Sequence, residues 1–262
     1  MNKNGNKVDL VIGLGEIGKP LKEVLEQAYL IIGRDIDPVE IPGKIGVLHV
    51  CYPYQVGDFV ETTVNYIEQY QPELTIVHST LVPGTMQKVF ERVGGQLAYS
   101  PVRGKHTRMR QELMHYTKFI AGMTPEAGER GMEYLSGAGF KARQVSTCES
   151  LELAKIIETT YFGLLIAWAQ EVERYCAALG ANYDEAMLLT QEVNYLPPVV
   201  FQPGFIGGHC IMPNIQLLET VCPSPFLDLI KESNERKKTE WAEQGRDLSE
   251  RIAPKNKAQE KA

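Results

Sequence analysis

"VIGLGEIGKPLKEVL", Val11 to Leu25, joins an apolar run to an amphipathic segment through three spaced glycines. Gly13, Gly15 and Gly18 form a G-x-G-x-x-G pattern directly after a strand-like stretch and at the start of a helix-like one. In that setting the glycines permit a tight turn, let the backbone approach a pyrophosphate, and let helix pack on sheet. The first N–H groups of the helix then face the phosphate. Glu16 and Ile17 occupy the variable positions of the turn and count with the glycines as cofactor-binding candidates. A second strand candidate, "YLIIGRD", ends at Asp35, close to the spacing of about 20 residues expected for a ribose-binding acid. A carboxylate there accepts hydrogen bonds from the adenosine ribose and repels a 2′-phosphate, so NAD is expected over NADP. The adjacent Arg34 argues the other way.

Outward from this turn, short apolar runs alternate with helix-length amphipathic stretches as far as Val145. "VDLVIG", "AYLIIGRD", "IGVLHVCYP", "LTIVHST", "GQLAYSP", "KFIAG" and "FKARQV" are the predicted strands. Predicted helices lie between them at 19–27, 56–70, 85–93 and 125–136. Strict alternation predicts an α/β fold, a Rossmann-like doubly wound parallel sheet covered on both faces. From Glu149 to about Leu179 the pattern changes to one long apolar helix ending before Gly180. It is too apolar for a lone surface helix and calls for a partner domain or a second subunit. Further helices are expected in "NYDEAMLLTQEV", "LLETV" and "FLDLIKESNERK", followed by a charged helix that fades into a solvated tail. The expected domains are 1–147 for NAD, 148–238 as an all-helical substrate and dimerisation domain, and 239–262 as charged helix and tail.

The bulk numbers bound the class. The chain has 262 residues, 44% hydrophobic and 23% charged, with a formal charge of −6. That is an ordinary globular composition, and its acidity argues against a nucleic-acid or acidic-membrane partner. No apolar stretch reaches the ~18 residues of a membrane span, and no signal-peptide pattern opens the chain. Cys51, Cys148, Cys176, Cys210 and Cys222 are odd in number and widely spaced, the usage of reduced thiols, so a cytoplasmic setting is expected. The histidines show no metal-ligand spacing, and no metal is expected.

Two further places carry chemistry. Lys155 interrupts the apolar "LELAKII", with Thr159 one helical turn on. A lysine there either reaches solvent or enters a polar cavity, where it acts as a proton-transfer group. Cys210 ends the glycine-rich "PGFIGGHCIMPN". A thiol there either packs as a small hydrophobe or attacks an aldehyde to give a thiohemiacetal.

Together these pieces resemble the nucleotide-sugar dehydrogenase family, whose familiar members oxidise UDP-glucose or GDP-mannose to the uronic acid. "VIGLGEIGKPL", "GRDIDP", "HSTLVPGT", "AYSPVRG", "ELAKIIETTYFGLLIAWAQEV", "PGFIGGHCIMPN" and "LIKESNERK" stand in the family's order between about Val8 and Lys238. The resemblance implies NAD, Cys210 as nucleophile and Lys155 as catalytic lysine. It makes Thr80 the hydroxyl that holds the reacting water, with Ser79 beside it at the cofactor. It also implies pairing of subunits through the long helix, hence a homodimer. Several positions depart from the family pattern. Val102 replaces the glutamate that assists water attack, Thr159 replaces an asparagine, and Asn214 replaces an aspartate. Few residues follow Lys238, too few for the family's C-terminal nucleotide-binding domain. The expected activity is NAD-dependent oxidation of a sugar or nucleotide-sugar alcohol or aldehyde, to the acid or only as alcohol–aldehyde interconversion. His106 or Lys105, in the same altered loop, is the expected substitute for the lost glutamate. A lysine-dependent 3-hydroxyacid dehydrogenase and a non-catalytic NAD-binding protein remain the alternatives.

Overall fold

The computed structural model of the chain describes residues 7–194, 196, 199–208, 210–249 and 255–256. They fall into two compact units, Met1–Lys155 and Ile156–Ala262. The first unit runs β1 Lys7–Ile12, α1 Gly18–Leu25, β2 Ile31–Arg34, β3 Lys44–Val50, α2 Phe59–Tyr70, β4 Leu74–Val77, α3 Thr85–Val93 and β5 Leu97–Tyr99. It continues with α4 Met109–His115, β6 Lys118–Gly122, α5 Pro125–Gly137, β7 Ala142–Gln144 and the start of α6, Cys148–Leu179. All seven predicted strands form, in the single order β2-β1-β3-β4-β5-β6-β7.

β4 and β5 are buried along their whole length, so their sequences read as continuous apolar runs and not as alternation. One face packs on α2, α3 and the start of α6 through Phe59, Val64, Met86, Val89, Cys148 and Leu151. The other packs on α1, α4 and α5 through Leu21, Val24, Leu25, Leu113 and Leu135. That is the doubly wound arrangement. Local chemistry sets the helix starts. Asp58 accepts from the Glu61 amide and opens α2, later than the predicted Val56. Thr124 caps α5, with Pro125 in its first turn.

Strict alternation does not hold at two places. The link from β2 to β3 contains no helix, and β6 runs antiparallel to β5. The 100–117 connection stays at the end of β5 where it began, turns through α4, and starts β6 beside Ser100. α4 was not expected because "HTRMRQELMHY" offers few apolar positions; only Met109 and Leu113 of them are buried.

The second unit contains the rest of α6, then α7 Tyr183–Ala186, α8 Leu188–Glu192, β8 Val199–Val200, α9 Ile211–Val221, α10 Pro225–Glu243 and β9 Lys255–Asn256. Its core is Ala167, Ile206, Ile211, Ile215, Leu227 and Ile230. To the expected helices it adds a short antiparallel ladder, β8 with β9. The expected charged helix is more anchored than its charge suggests, and the solvated tail expected after it lies mostly outside the described residues. Trp241 is buried under the Arg246 guanidinium, and Lys237 is buried on Glu173 and Glu240.

Candidate active site

The glycine turn divides its three glycines by what each meets. Gly13 has φ +89°, and a Cβ there would lie 2.7 Å from the Tyr52 amide nitrogen. At Gly18 a Cβ would sit 1.7 Å from the Gly13 carbonyl oxygen, so the first turn of α1 can close only on glycine. Gly15 has neither constraint. Its φ is not positive, and a Cβ would meet nothing within 4 Å. The fold explains two of the glycines and leaves the middle one, exposed at the mouth of the turn, without an internal reason.

Asp35 stands at the end of β2 beside that turn and accepts from the Leu14 amide at 3.3 Å. Arg34 is turned away from it. Its guanidinium lies 5.1 Å from the Tyr66 ring centroid and bonds the Tyr70 hydroxyl, against α2. The neighbour that argued for a 2′-phosphate is thus committed to an aromatic pair. Glu16 of the turn bonds His106, which ties the glycine turn to the 100–108 loop. Ile17 is half-buried and opens α1.

The ends of β3 and β4 meet beside the turn. Ser79 is buried and donates its hydroxyl to the Tyr52 carbonyl at 2.6 Å, so this candidate cofactor contact also fixes the strand ends. Thr80 follows it, half-exposed. The helix after them is capped from afar. Glu152 of α6, fully buried, accepts from Gly84 at 2.8 Å and from Met86 at 2.9 Å. A carboxylate at the start of α3 is favoured by the helix dipole, yet burial raises Glu152 to about 7. In "LELAKII" the lysine is the residue that stands out from the sequence, with solvent and a polar cavity both open to it. The fully buried charge there is Glu152, and Lys155 is half-buried one turn later. Val102, at the lost glutamate, is a buried apolar residue.

In the second unit Cys210 is the residue that opens α9, half-exposed, after Gly208 at φ +83°. Its sulfur stands at the positive end of an eleven-residue helix. Cys51 and Cys148 are buried, and burial pushes both thiols up to about 12. Two buried amides, unnoticed in the sequence, hold the loop that leads to Cys210. Asn234 accepts from the Ile206 amide at 2.7 Å and donates to its carbonyl at 3.1 Å. Gln170 donates to the Gly204 carbonyl at 2.7 Å and accepts from Ser233. Both lie in stretches quoted above, "AWAQEV" and "KESNERK", where only their spatial partners distinguish them from surface amides.

One turn past Cys210, Asn214 donates to Thr159 Oγ1 at 2.8 Å. These are two of the three substituted positions, and they bond each other. Thr159 in turn donates to the Ile156 carbonyl. α9 reaches α6 this closely because of Gly163, where a Cβ would lie 2.7 Å from Ile211. Among the described residues no group of three or more His, Cys, Asp or Glu is arranged to hold a metal ion. No described helix is long and apolar enough to cross a membrane.

Sheet order, double winding and the glycine turn define a Rossmann-type unit followed by a mainly helical one. Residues 149–236 match the profile of the UDP-glucose/GDP-mannose dehydrogenase family, central domain. The UDP-N-acetyl-D-mannosamine dehydrogenase of Methanococcus vannielii is 26% identical over 253 residues, 77% of this chain and 58% of that protein. The Escherichia coli K12 protein of the same name is 30% identical over 185 residues, 68% of this chain and 39% of that protein. The structure of the UDP-D-ManNAc dehydrogenase from Pyrococcus horikoshii has a TM-score of 0.78 at 22% identity, covering 90% of this chain and 70% of that one. At that identity the likeness shows the fold. The chain belongs to the UDP-glucose/GDP-mannose dehydrogenase family and carries its central domain. It spans less than two thirds of the length of these curated relatives.

Proposed function

We propose that the chain is an NAD-dependent oxidoreductase that acts on a sugar or nucleotide-sugar alcohol or aldehyde through Cys210. The observation that carries the reading is the setting of that cysteine. It is a part-exposed thiol at a helix N-terminus, delivered by a loop clamped on buried Gln170 and Asn234. A small residue filling a tight turn needs no such support.

The residues present fit NAD. Gly15 leaves open space where a pyrophosphate crosses, the start of α1 offers its N–H groups, and Asp35 offers a carboxylate to the ribose. Thr80 and Ser79 would border the nicotinamide end. When bound, NAD supplies the hydride acceptor. The chain's own groups supply the rest. Lys155 takes the proton of the substrate hydroxyl. Cys210 Sγ adds to the aldehyde carbon to give a thiohemiacetal, and oxidation of that adduct leaves a thioester. Water then releases the acid and returns the thiol. Val102 cannot assist that water, and a missing general base forfeits about 10²–10⁴-fold in its step. The thioester therefore persists, and alcohol–aldehyde interconversion is the faster outcome.

The long helix supports pairing of two copies. Leu153, Ile157, Tyr161, Trp168, Tyr175 and Leu179 are large, exposed and spaced along one side of α6. A homodimer through this stripe is part of the proposal.

NADH formation over a panel of nucleotide sugars, free sugars and their aldehydes tests the reading, with Cys210→Ser beside the wild type. Aldehyde oxidation that disappears in Cys210→Ser supports it. Undiminished turnover in the variant supports the 3-hydroxyacid reading. NAD binding without turnover on any substrate supports a non-catalytic role.

A further inference from the structure

The sheet unit buries a row of ionisable side chains that the proposed chemistry does not use. Asp9 on β1, Tyr134 on α5, His49 on β3, the His78 that follows β4, and Lys118 on β6 are hydrogen-bonded in that order. Tyr134 Oη donates to Asp9 Oδ2 at 2.7 Å and lies 3.2 Å from His49 Nε2. His49 Nδ1 is 3.0 Å from His78 Nε2, and His78 Nδ1 is 3.3 Å from Lys118 Nζ and 2.8 Å from the Ser100 carbonyl. Lys118 Nζ also donates to the Ser100 carbonyl, to Ser100 Oγ at 2.9 Å and to the Pro101 carbonyl at 3.0 Å. One end lies under the 100–103 loop, which carries Val102. The other opens on a cavity of about 370 Å³ lined by Lys7, Asp9, Tyr29, Glu73, Arg130 and Tyr134.

The row can be fully hydrogen-bonded in either of two directions. With Asp9 ionised, Tyr134 donates to Asp9, His49 Nε2–H to Tyr134, His78 Nε2–H to His49, and Lys118 to His78. With Asp9 protonated, its O–H donates to Tyr134, Tyr134 to His49 Nε2, His49 Nδ1–H to His78 Nε2, and His78 Nδ1–H to the Ser100 carbonyl. In that second direction the three Lys118 N–H bonds fall on Ser100 and Pro101. No buried polar group loses its partner in either state, which is the condition for a buried network to switch.

We propose that Asp9, Tyr134, His49, His78 and Lys118 form a proton relay between the cavity at Asp9 and the buried side of the 100–103 loop. Each transfer breaks one N–H or O–H bond and makes the next. When Lys118 is neutral, with its two N–H bonds on the Ser100 and Pro101 carbonyls and its lone pair towards His78, a proton taken by Asp9 from the cavity passes along the row as His78 gives its Nδ1 proton to Lys118, and the reverse sequence delivers one outward. No other reactant is required. Burial first, and nearby charge second, favours neutral histidines. Burial, with Lys118 close by, depresses His49 to about 3 and lowers His78 as well. Burial pushes Lys118 down to about 7, with Lys155 and Arg103 adding to the effect and Cys51 opposing it. Burial also raises Asp9, opposed by its bonds from Tyr134 and Val47 and helped by Glu73. Tyr29, on the same side of Asp9, is itself raised by burial. The relay rests on the proposed dehydrogenase only for its use, since alcohol oxidation and thioester hydrolysis each release a proton.

Nitrogen-15 NMR of the histidine rings in the full chain without substrate tests the relay apart from turnover. As the pH is lowered across the range in which the chain stays folded, His49 and His78 are expected to stay neutral while the proton moves from Nε2 to Nδ1 in both, at one shared midpoint. Tyr134→Phe and Asp9→Asn are expected to abolish that shared switch, and either variant suffices if the other fails to fold. Separate conversion of either ring to imidazolium, tautomers fixed across the range, or an unchanged switch in a folded variant would each overturn the relay. If the switch is present and no substrate is oxidised, the relay stands and the dehydrogenase reading fails.

Discussion

Gly15→Ala separates the fold's need for glycine from the cofactor's. The added methyl meets nothing within 4 Å, and the backbone there is not in the left-handed region. Folding stability should therefore hold or rise by about 0.4–1 kcal/mol, the usual gain from a stiffer unfolded chain. Bound NAD would press its pyrophosphate into the same space. Displacing it from the turn's N–H groups loses about 1.5–3 kcal/mol of charge-assisted hydrogen bonding, or roughly 10- to 150-fold in affinity. Gly18→Ala is the contrasting control, because its methyl would lie 1.7 Å from the Gly13 oxygen. It should lower stability by about 1–3 kcal/mol or more. NAD titration by calorimetry and thermal melts of both variants give the two readouts. If Gly15→Ala binds NAD as tightly as the wild type, no pyrophosphate crosses that turn.

Other variants probe the remaining parts. Asn234→Ala orphans both backbone groups of Ile206 in a buried site and should cost about 2–4 kcal/mol, read from denaturant midpoints. A loss under about 1 kcal/mol would mean that the loop before Cys210 is not held there. Trp168→Glu puts a charge into the exposed stripe of α6 and should leave a monomer by light scattering, with the monomer's melting point unchanged. Glu152 has its folded value raised from 4.5 to about 7, so the native state holds a proton that the unfolded chain has already lost in that window. Its contribution is complete below about pH 4.5 and falls by on the order of 2–3 kcal/mol by about pH 7. Glu152→Gln should flatten the stability-against-pH slope in that range, and an unchanged slope would place the titration elsewhere.

The strands were legible because each is a short apolar run bounded by turn residues, and Thr85–Val93 was predicted with the bounds observed. What the pattern did not carry was direction and partnership. β6 looks like any other strand, and only the short return through α4 turns it antiparallel to β5. Of the candidate site, the glycine turn stands out by its local spacing, whereas Cys210 is singled out only by the resemblance of the whole ordered set of motifs. Thr159 and Asn214 were noted one at a time, and the bond between them depends on Gly163 letting two helices approach. Gln170 and Asn234 look like surface amides until the loop they hold is folded onto them. His49, His78 and Lys118 each read as one polar residue in or beside an apolar strand. Only the sheet's register puts them in a row, since their hydrogen bonds join residues far apart in the chain. Short-range periodicity has no access to that distance.

The claim that Cys210 carries the chemistry is tested most directly by mass spectrometry of the chain after exposure to a substrate aldehyde and NAD. A thioester-mass adduct on the Cys210 peptide, slow to clear and absent from Cys51 and Cys148, is the predicted result. Aldehyde turned over to NADH and acid with no mass ever appearing on Cys210, and at the same rate in Cys210→Ser, would contradict it.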